Sequence, residues 1–103
     1  MIRFLAVDLD GTLLHSSGVL SPESIDAIAE CTRAGVIVIV VTARPPRSSR
    51  LFWEQLHLNT PSVHYNGALV LNFSTNEILL HRPIPGPLAE QLHDAALAID
   101  PSA

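Results

Sequence analysis

A chain of 103 residues, 48% hydrophobic and 16% charged, with a formal charge of −4, has the size of one modest domain. It is too apolar for intrinsic disorder, and its six basic residues, all arginine, leave no basic footprint for nucleic acid. The longest purely apolar stretch, Val36 to Val41, falls far short of the ~20 residues of a membrane helix, and the single cysteine, Cys31, excludes an internal disulfide. Asp8 and Asp10 interrupt the apolar start before a signal peptide could form, so a cytoplasmic protein is the default expectation.

The apolar start, Met1 to Asp8, reads as a buried strand that ends in acidic residues. Asp10 to Ser21, rich in Gly, Ser, Thr and Asp, reads as a loop. Ser21 is placed to cap a helix with Pro22 in its first position, and Ile25, Ile28, Ala29 and Thr32 share one face. Gly35 is the expected left-handed terminator. The β-branched run Val36–Val41 lacks polar alternation, which predicts a strand buried on both faces, as in a parallel sheet. A second helix is expected from about Pro46 to His57, with Leu51, Phe52, Gln55 and Leu56 inward. Ser62 to Tyr65 reads as a short strand, Asn66-Gly67 as a turn, and Ala68–Asn72 with Glu77–His81 as a hairpin. Pro83, Pro85, Gly86 and Pro87 suggest a linker, after which Leu88, Leu92, Ala95 and Ile99 space a final helix.

The order is β-α-β-α-β, then a hairpin and a helix. Alternating strands and helices imply an α/β fold with a Rossmann-like parallel sheet and right-handed crossovers. Ligands of such sheets bind beyond the carboxyl ends of the strands. Those ends here are Asp8 to Thr12, Thr42 to Arg44, and Asn66-Gly67, and each carries polar residues.

Two carboxylates as close as Asp8 and Asp10 can share a hard divalent cation, or divide nucleophilic and acid/base work. Gly11 permits a sharp turn whose amides can hold an anion, and Thr12 adds a hydroxyl. The plainer reading of Asp-x-Asp-Gly-Thr is a turn, which its place after a buried strand argues against. Thr42 fits either a helix cap or a phosphate contact, and Arg44 either a phosphate clamp or a solvated surface residue. None of His15, His57, His64, His81 and His93 has zinc-ligand spacing, and surface or loop placement is expected for all five. Cys31 reads as a small core residue and Trp53 as packing.

Taken together, Asp8-Leu9-Asp10-Gly11-Thr12-Leu13-Leu14, Val40-Val41-Thr42-Ala43-Arg44-Pro45 and Tyr65-Asn66-Gly67-Ala68 resemble the haloacid dehalogenase-like hydrolase superfamily. The first string looks like its D-x-D-G-T motif and the second like its Thr-ended strand. The third looks like the Asn-Gly-Ala turn of the Cof-type sugar-phosphatase branch. The resemblance implies a phosphatase of small phosphorylated metabolites. Asp8 would be the nucleophile that forms an aspartyl-phosphate, and Asp10 the general acid and base. Mg²⁺ would sit on the Asp8 carboxylate and the Asp10 backbone carbonyl. Thr42 would bind the phosphoryl group, and Gly11, Thr12, Arg44, Asn66 and Gly67 complete the expected substrate-binding set.

The family's third motif supplies a lysine, occasionally an arginine, and its fourth supplies metal-binding aspartates. No lysine occurs in this chain. The acids after Thr42, namely Glu54, Glu77, Glu90, Asp94 and Asp100, lie outside any Gly-Asp-x-x-x-Asp string. The resemblance is therefore to the N-terminal portion of such an enzyme, with 1–82 as core and 83–103 as linker and the start of a cap. The alternative expectation is an inactive fragment, or a subunit whose missing motifs come from another chain. Without further strands, Ile2 to Val7 would form an exposed apolar edge, which predicts marginal stability or self-association. A phosphoacceptor receiver domain fits less well, because the third strand ends in Tyr65-Asn66-Gly67 without an acid.

Overall fold

A computed structural model describes residues 1–102 of the chain. The elements are β1 (Phe4–Val7), α1 (Pro22–Arg33), β2 (Ile37–Val40), α2 (Pro46–Gln55), β3 (Ser62–His64), β4 (Leu69–Asn72), β5 (Glu77–His81) and α3 (Gly86–Ile99). A single 3₁₀ turn, Tyr65–Gly67, joins β3 to β4.

β1 and β2 pair in parallel from Phe4 with Ile37 to Val7 with Val40, as the β-α-β order requires. β3 continues the parallel set only at its middle residue, through a single bridge from Val41 to Val63 and the bond from Thr42 N to Val63 O (2.9 Å). The cause of this short pairing lies just before β3. Pro61 has no amide hydrogen to give to a ladder, and the Thr60 hydroxyl donates to Val38 O instead (2.5 Å). From β3 the chain turns antiparallel, and β3-β4-β5 form a separate three-stranded sheet.

The connecting helices begin and end where local chemistry places them. The Ser21 hydroxyl accepts from Ser24 N (3.1 Å) and Pro22 opens α1. Gly35 follows α1 at φ +87°, a conformation that costs a side-chain-bearing residue energy. α2 departs from its expected face. Its buried positions are Ser49 and Trp53, with Leu56 buried just beyond it, while Leu51 is 60% exposed and Gln55 is also exposed. Trp53 anchors the helix: its ring lies 5.3 Å from that of Phe73, and its Nε1 donates to Thr60 O (2.9 Å). Cys31 is partly buried against the same core.

β2 is not buried on both faces. Val38 and Val40 are each 1% exposed, but Ile37 is half exposed. Helices cover one side of the β1-β2 pair, and its other side is open among the described residues. Phe4 and Ile2 also face solvent, and the outer edge of β1 carries no strand among those residues. Apolar side chains are exposed on β5 (Ile78, Leu79, Leu80) and on α3 (Leu88, Leu92, Ile99) as well. Ala103, the last residue of the expected cap start, lies outside the described residues.

Candidate active site

Three strand ends are stitched together at one end of the sheet. Val41 N donates to Val7 O (2.9 Å), Thr42 N to Val63 O (2.9 Å) and Asn66 N to Thr42 O (3.3 Å). These bonds bring residues from the three sequence motifs around a cleft of about 380 Å³, lined by Ala6, Asp8, Asp10, Val41, Thr42, Ala43 and Asn66.

Asp10 to Ser21 is more ordered than a plain loop. Leu13 N bonds to Asp8 O (3.4 Å) and Leu14 N to Leu9 O (2.8 Å), both at the i→i+5 spacing of a π-type turn. Leu14 then bridges Leu20 in a short antiparallel ribbon. The turn buries Leu9 completely and leaves Asp8 and Asp10 facing solvent on either side of it. Leu9 N donates to Asp8 Oδ1 (2.7 Å), which fixes the Asp8 carboxylate against the backbone at the cleft. Gly11 adopts φ +76° here; an added Cβ would meet no atom, so the requirement is conformational.

Asp10 is held by Arg44. Nε donates to Oδ2 and Nη2 to Oδ1, both at 2.7 Å, in a two-pronged pair. The Arg44 hydrogen bonds hold the Asp10 carboxyl below the usual carboxylate range, against the opposing effect of burial, and Asp10 raises Arg44 in turn. Arg44 is itself braced: Nη1 donates to Ser48 O (3.2 Å), and its guanidinium carbon stands 5.3 Å from the centre of the Phe52 ring. In this arrangement Arg44 is a partly exposed residue tied down on several sides, and it lies outside the cleft lining.

Thr42 is 2% exposed, and its Oγ1 accepts from Arg44 N (3.1 Å). It does not cap α2, whose N-cap is Pro45. Its hydroxyl proton remains available at the cleft. Tyr65, Asn66 and Gly67 all take positive φ, at 51°, 55° and 101°. Asn and Gly tolerate this region, but a tyrosine there is strained, and such strain concentrates at functional sites. Asn66 reaches the cleft lining, whereas Gly11, Thr12 and Gly67 shape the loops beside it. The cleft donors are all oxygens or an amide, a set that suits a hard divalent cation. No group of three or more His, Cys, Asp or Glu side chains placed to hold a metal ion occurs among the described residues.

One polar cluster behind the cleft escaped sequence reasoning. His64, expected at the surface, is completely buried. Its Nε2 lies 2.7 Å from Ser62 Oγ and its Nδ1 lies 3.2 Å from Ser49 Oγ, and Phe73 packs edge-on against the ring. Burial pushes the His64 imidazole below its ordinary range, and the nearby Arg44 backbone carbonyl opposes that shift. The available signal was the alternation of Ser62 and His64 on one face of a strand.

Parallel crossover strands with a polar cleft at their carboxyl ends define an α/β protein of the doubly wound class. Residues 5–100 match the sequence profile of haloacid dehalogenase-like hydrolases, and the chain belongs to that family. It is 38% identical over 90 residues to the pyridoxal phosphate phosphatase YbhA of Escherichia coli, covering 87% of this chain and 33% of that protein. It is 41% identical over 66 residues to the 5-amino-6-(5-phospho-D-ribitylamino)uracil phosphatase YitU of Bacillus subtilis, covering 64% of this chain and 24% of that protein. Among solved structures, a haloacid dehalogenase-like hydrolase from Bacteroides thetaiotaomicron superposes with a TM-score of 0.84 at 21% identity, over 95% of this chain and 38% of that one. A family member from B. subtilis gives 0.77 at 30% identity, over 88% of this chain and 32% of that one. The chain thus spans about a third or less of the length of the two curated relatives.

Proposed function

We propose that this chain carries the nucleophile half of a Mg²⁺-dependent phosphatase site for small phosphorylated metabolites, with Asp8 as the phosphoryl acceptor. The observation that carries the reading is the cleft itself, where Asp8, Asp10, Thr42 and Asn66 meet at the strand ends.

In the first step the Asp8 oxygen not engaged by Leu9 N attacks phosphorus. The bond to the leaving oxygen breaks, and that oxygen takes a proton from Asp10, which first turns from Arg44 and accepts that proton from the substrate's phosphate monoanion. In the second step Asp10 removes a proton from water, the water oxygen attacks phosphorus, and the bond to Asp8 breaks. Inorganic phosphate leaves and both carboxylates return to their starting forms. Covalent catalysis splits one difficult displacement into two. Thr42 donates its hydroxyl proton to the phosphoryl group, and Asn66 lines the same wall. The Asp8 carboxylate and the Asp10 backbone carbonyl would hold Mg²⁺, which offsets the repulsion between an anionic carboxylate and an anionic phosphate.

The relatives named as phosphatases of pyridoxal phosphate and of a phosphoribitylamino-uracil support the reaction class and a small-metabolite substrate. A cytoplasmic location and self-association through the free edge of β1 belong to the same proposal. No helix among the described residues is long and apolar enough to cross a membrane.

The test is hydrolysis of p-nitrophenyl phosphate with Mg²⁺ by the wild type and Asp8→Asn. Turnover that disappears in the variant is the expected result; equal turnover in both excludes Asp8 as the acceptor. A second reading has its own support. The chain contains no lysine, and Arg44, the cation nearest the carboxylate pair, is committed to Asp10. On that reading a further segment or a second chain completes the site, and neither protein turns over alone. If a further segment completes the site, the coding sequence downstream of Ala103 contains a lysine and a Gly-Asp-x-x-Asn-Asp string; if a second chain does, it does not.

A further inference from the structure

We infer that His64 is a positioning residue for the site: its buried ring fixes the first turn of α2, and that turn holds the arginine that grips Asp10. The inference rests on the assignment of acid/base work to Asp10.

The connection is a continuous line of hydrogen bonds and backbone. Ser62 Oγ lies 3.4 Å from Leu71 O and 2.7 Å from His64 Nε2. On the other side of the ring, Nδ1 meets Ser49 Oγ at 3.2 Å. Ser49 Oγ donates to the carbonyls of Pro45 (3.2 Å) and Pro46 (3.3 Å), in the turn that starts α2. The residue before Ser49 is Ser48, whose carbonyl receives Arg44 Nη1. Arg44 then reaches Asp10 with two bonds of 2.7 Å.

Proton counting gives the line a direction. Ser49 has one hydroxyl proton; with that proton on the Pro45 or Pro46 carbonyl it accepts from His64, which is then the Nδ1–H tautomer. Nε2 is then an acceptor and takes the Ser62 proton over the short 2.7 Å contact. The opposite tautomer would turn the Ser49 proton from the proline carbonyls to Nδ1 and send the Ser62 proton to Leu71 O over 3.4 Å, while Pro45 O keeps its bonds from Ser48 N (3.1 Å) and Ser48 Oγ (3.2 Å). Ser49, Ser62 and His64 are at most 1% exposed, so no water replaces a missing partner from the surface. Both tautomers pair every polar atom of the cluster, and the Nδ1–H form is favoured because it replaces the long Ser62–Leu71 contact with bonds of 3.2–3.3 Å to the start of α2. The cluster thus favours one placement of the α2 start. His64 touches none of the cleft residues through its ring bonds; it acts through Ser49 and the turn that carries Ser48, and its ring also lies near the Arg44 backbone carbonyl.

The test is nuclear magnetic resonance on the full chain, following exchange of the Arg44 Nε–H with water in the wild type, His64→Asn, His64→Gln and Ser49→Ala. An asparagine amide overlays Nδ1 of histidine and reaches Ser49, whereas a glutamine amide overlays Nε2 and reaches Ser62. We expect slow exchange in the wild type and His64→Asn. Exchange faster by roughly fivefold to tenfold, the effect of one net hydrogen bond, is expected in His64→Gln and Ser49→Ala. The wild-type imidazole nitrogens should report the Nδ1–H tautomer. Unchanged Arg44 exchange in Ser49→Ala, or equal acceleration in the asparagine and glutamine variants, overturns the inference. Ser49→Ala removes one oxygen and decides the matter if a His64 variant fails to fold. None of these readouts needs turnover, so failure of the Asp8→Asn assay and failure of this inference are separate results.

Discussion

Asp10 and Arg44 are 34 positions apart, and each lies at the carboxyl end of a different parallel strand. Their two-pronged bond follows from that placement, because parallel strands deliver their carboxyl ends to the same edge. The Asp10 side chain remains 56% exposed, and solvent-facing ion pairs contribute at most about 1 kcal/mol. The pair therefore matters more for where the carboxylate points and when it ionises than for stability. The folded form of Asp10 has a lowered pKa, so its stabilising effect is present above the unfolded carboxylate range and is lost as pH falls through the folded value. In Arg44→Met, the Asp10 carboxyl should titrate at higher pH than in the wild type, closer to its ordinary value of 3.8. Carbon-13 titration of the carboxyl checks this, and the thermal midpoint at neutral pH should move little. An unchanged Asp10 titration would show that the ion pair does not form in solution.

α2 is the element on which sequence and structure part most clearly. Its helical period was legible, but its inward face only in part: Leu56 is buried and Phe52 packs against the core as expected, whereas Leu51 and Gln55 are exposed. A leucine at 51 and a serine at 49 suggest the opposite assignment from the one found, with Ser49 buried and Leu51 exposed. Ser49 is buried because His64, 15 residues further on, offers it a partner, and local periodicity does not encode that contact. The caps of α1 and the positions of the strands are local and were legible, as was the hairpin. The break between β2 and β3 depends on Pro61 and a Thr60 side chain, and it was not. The three motif strings marked the strand ends that form the cleft. The Arg44–Asp10 pair and the His64 cluster needed the tertiary fold.

The His64 cluster also makes the junction of α2 and β3 sensitive to acid. Its folded pKa lies below the unfolded value of 6.5, so the folded state favours the neutral ring. The stabilising effect is complete above 6.5 and is lost as pH falls below it toward the folded value. The thermal midpoint should therefore fall between pH 7.5 and pH 5.5 by more in the wild type than in His64→Asn. Equal falls in the two proteins would contradict burial of a neutral imidazole.

On the scale of the whole molecule, apolar side chains are exposed on two separated regions, the β1-β2 pair and the β5-α3 end. The chain extends 51 Å along its long axis, and α3 has no buried residue. An open β1 edge flanked by Ile2 and Phe4 is the kind of surface that pairs with other chains unless a charge blocks it. Phe4→Glu places such a charge on a side chain that is already 55% exposed. It should lower the average mass seen by sedimentation at high protein concentration while leaving the circular dichroism spectrum unchanged. A wild type that stays monomeric throughout that concentration range would remove the free edge as an association surface.

The central claim, that Asp8 accepts a phosphoryl group in this cleft, is tested most directly without turnover. Beryllofluoride mimics a phosphoryl group on an aspartate, and fluorine-19 resonance distinguishes the bound form from the free form. We predict bound signals for the wild type that require Mg²⁺ and vanish in Asp8→Asn. The absence of any bound signal in the wild type, or identical signals in Asp8→Asn, would contradict the assignment.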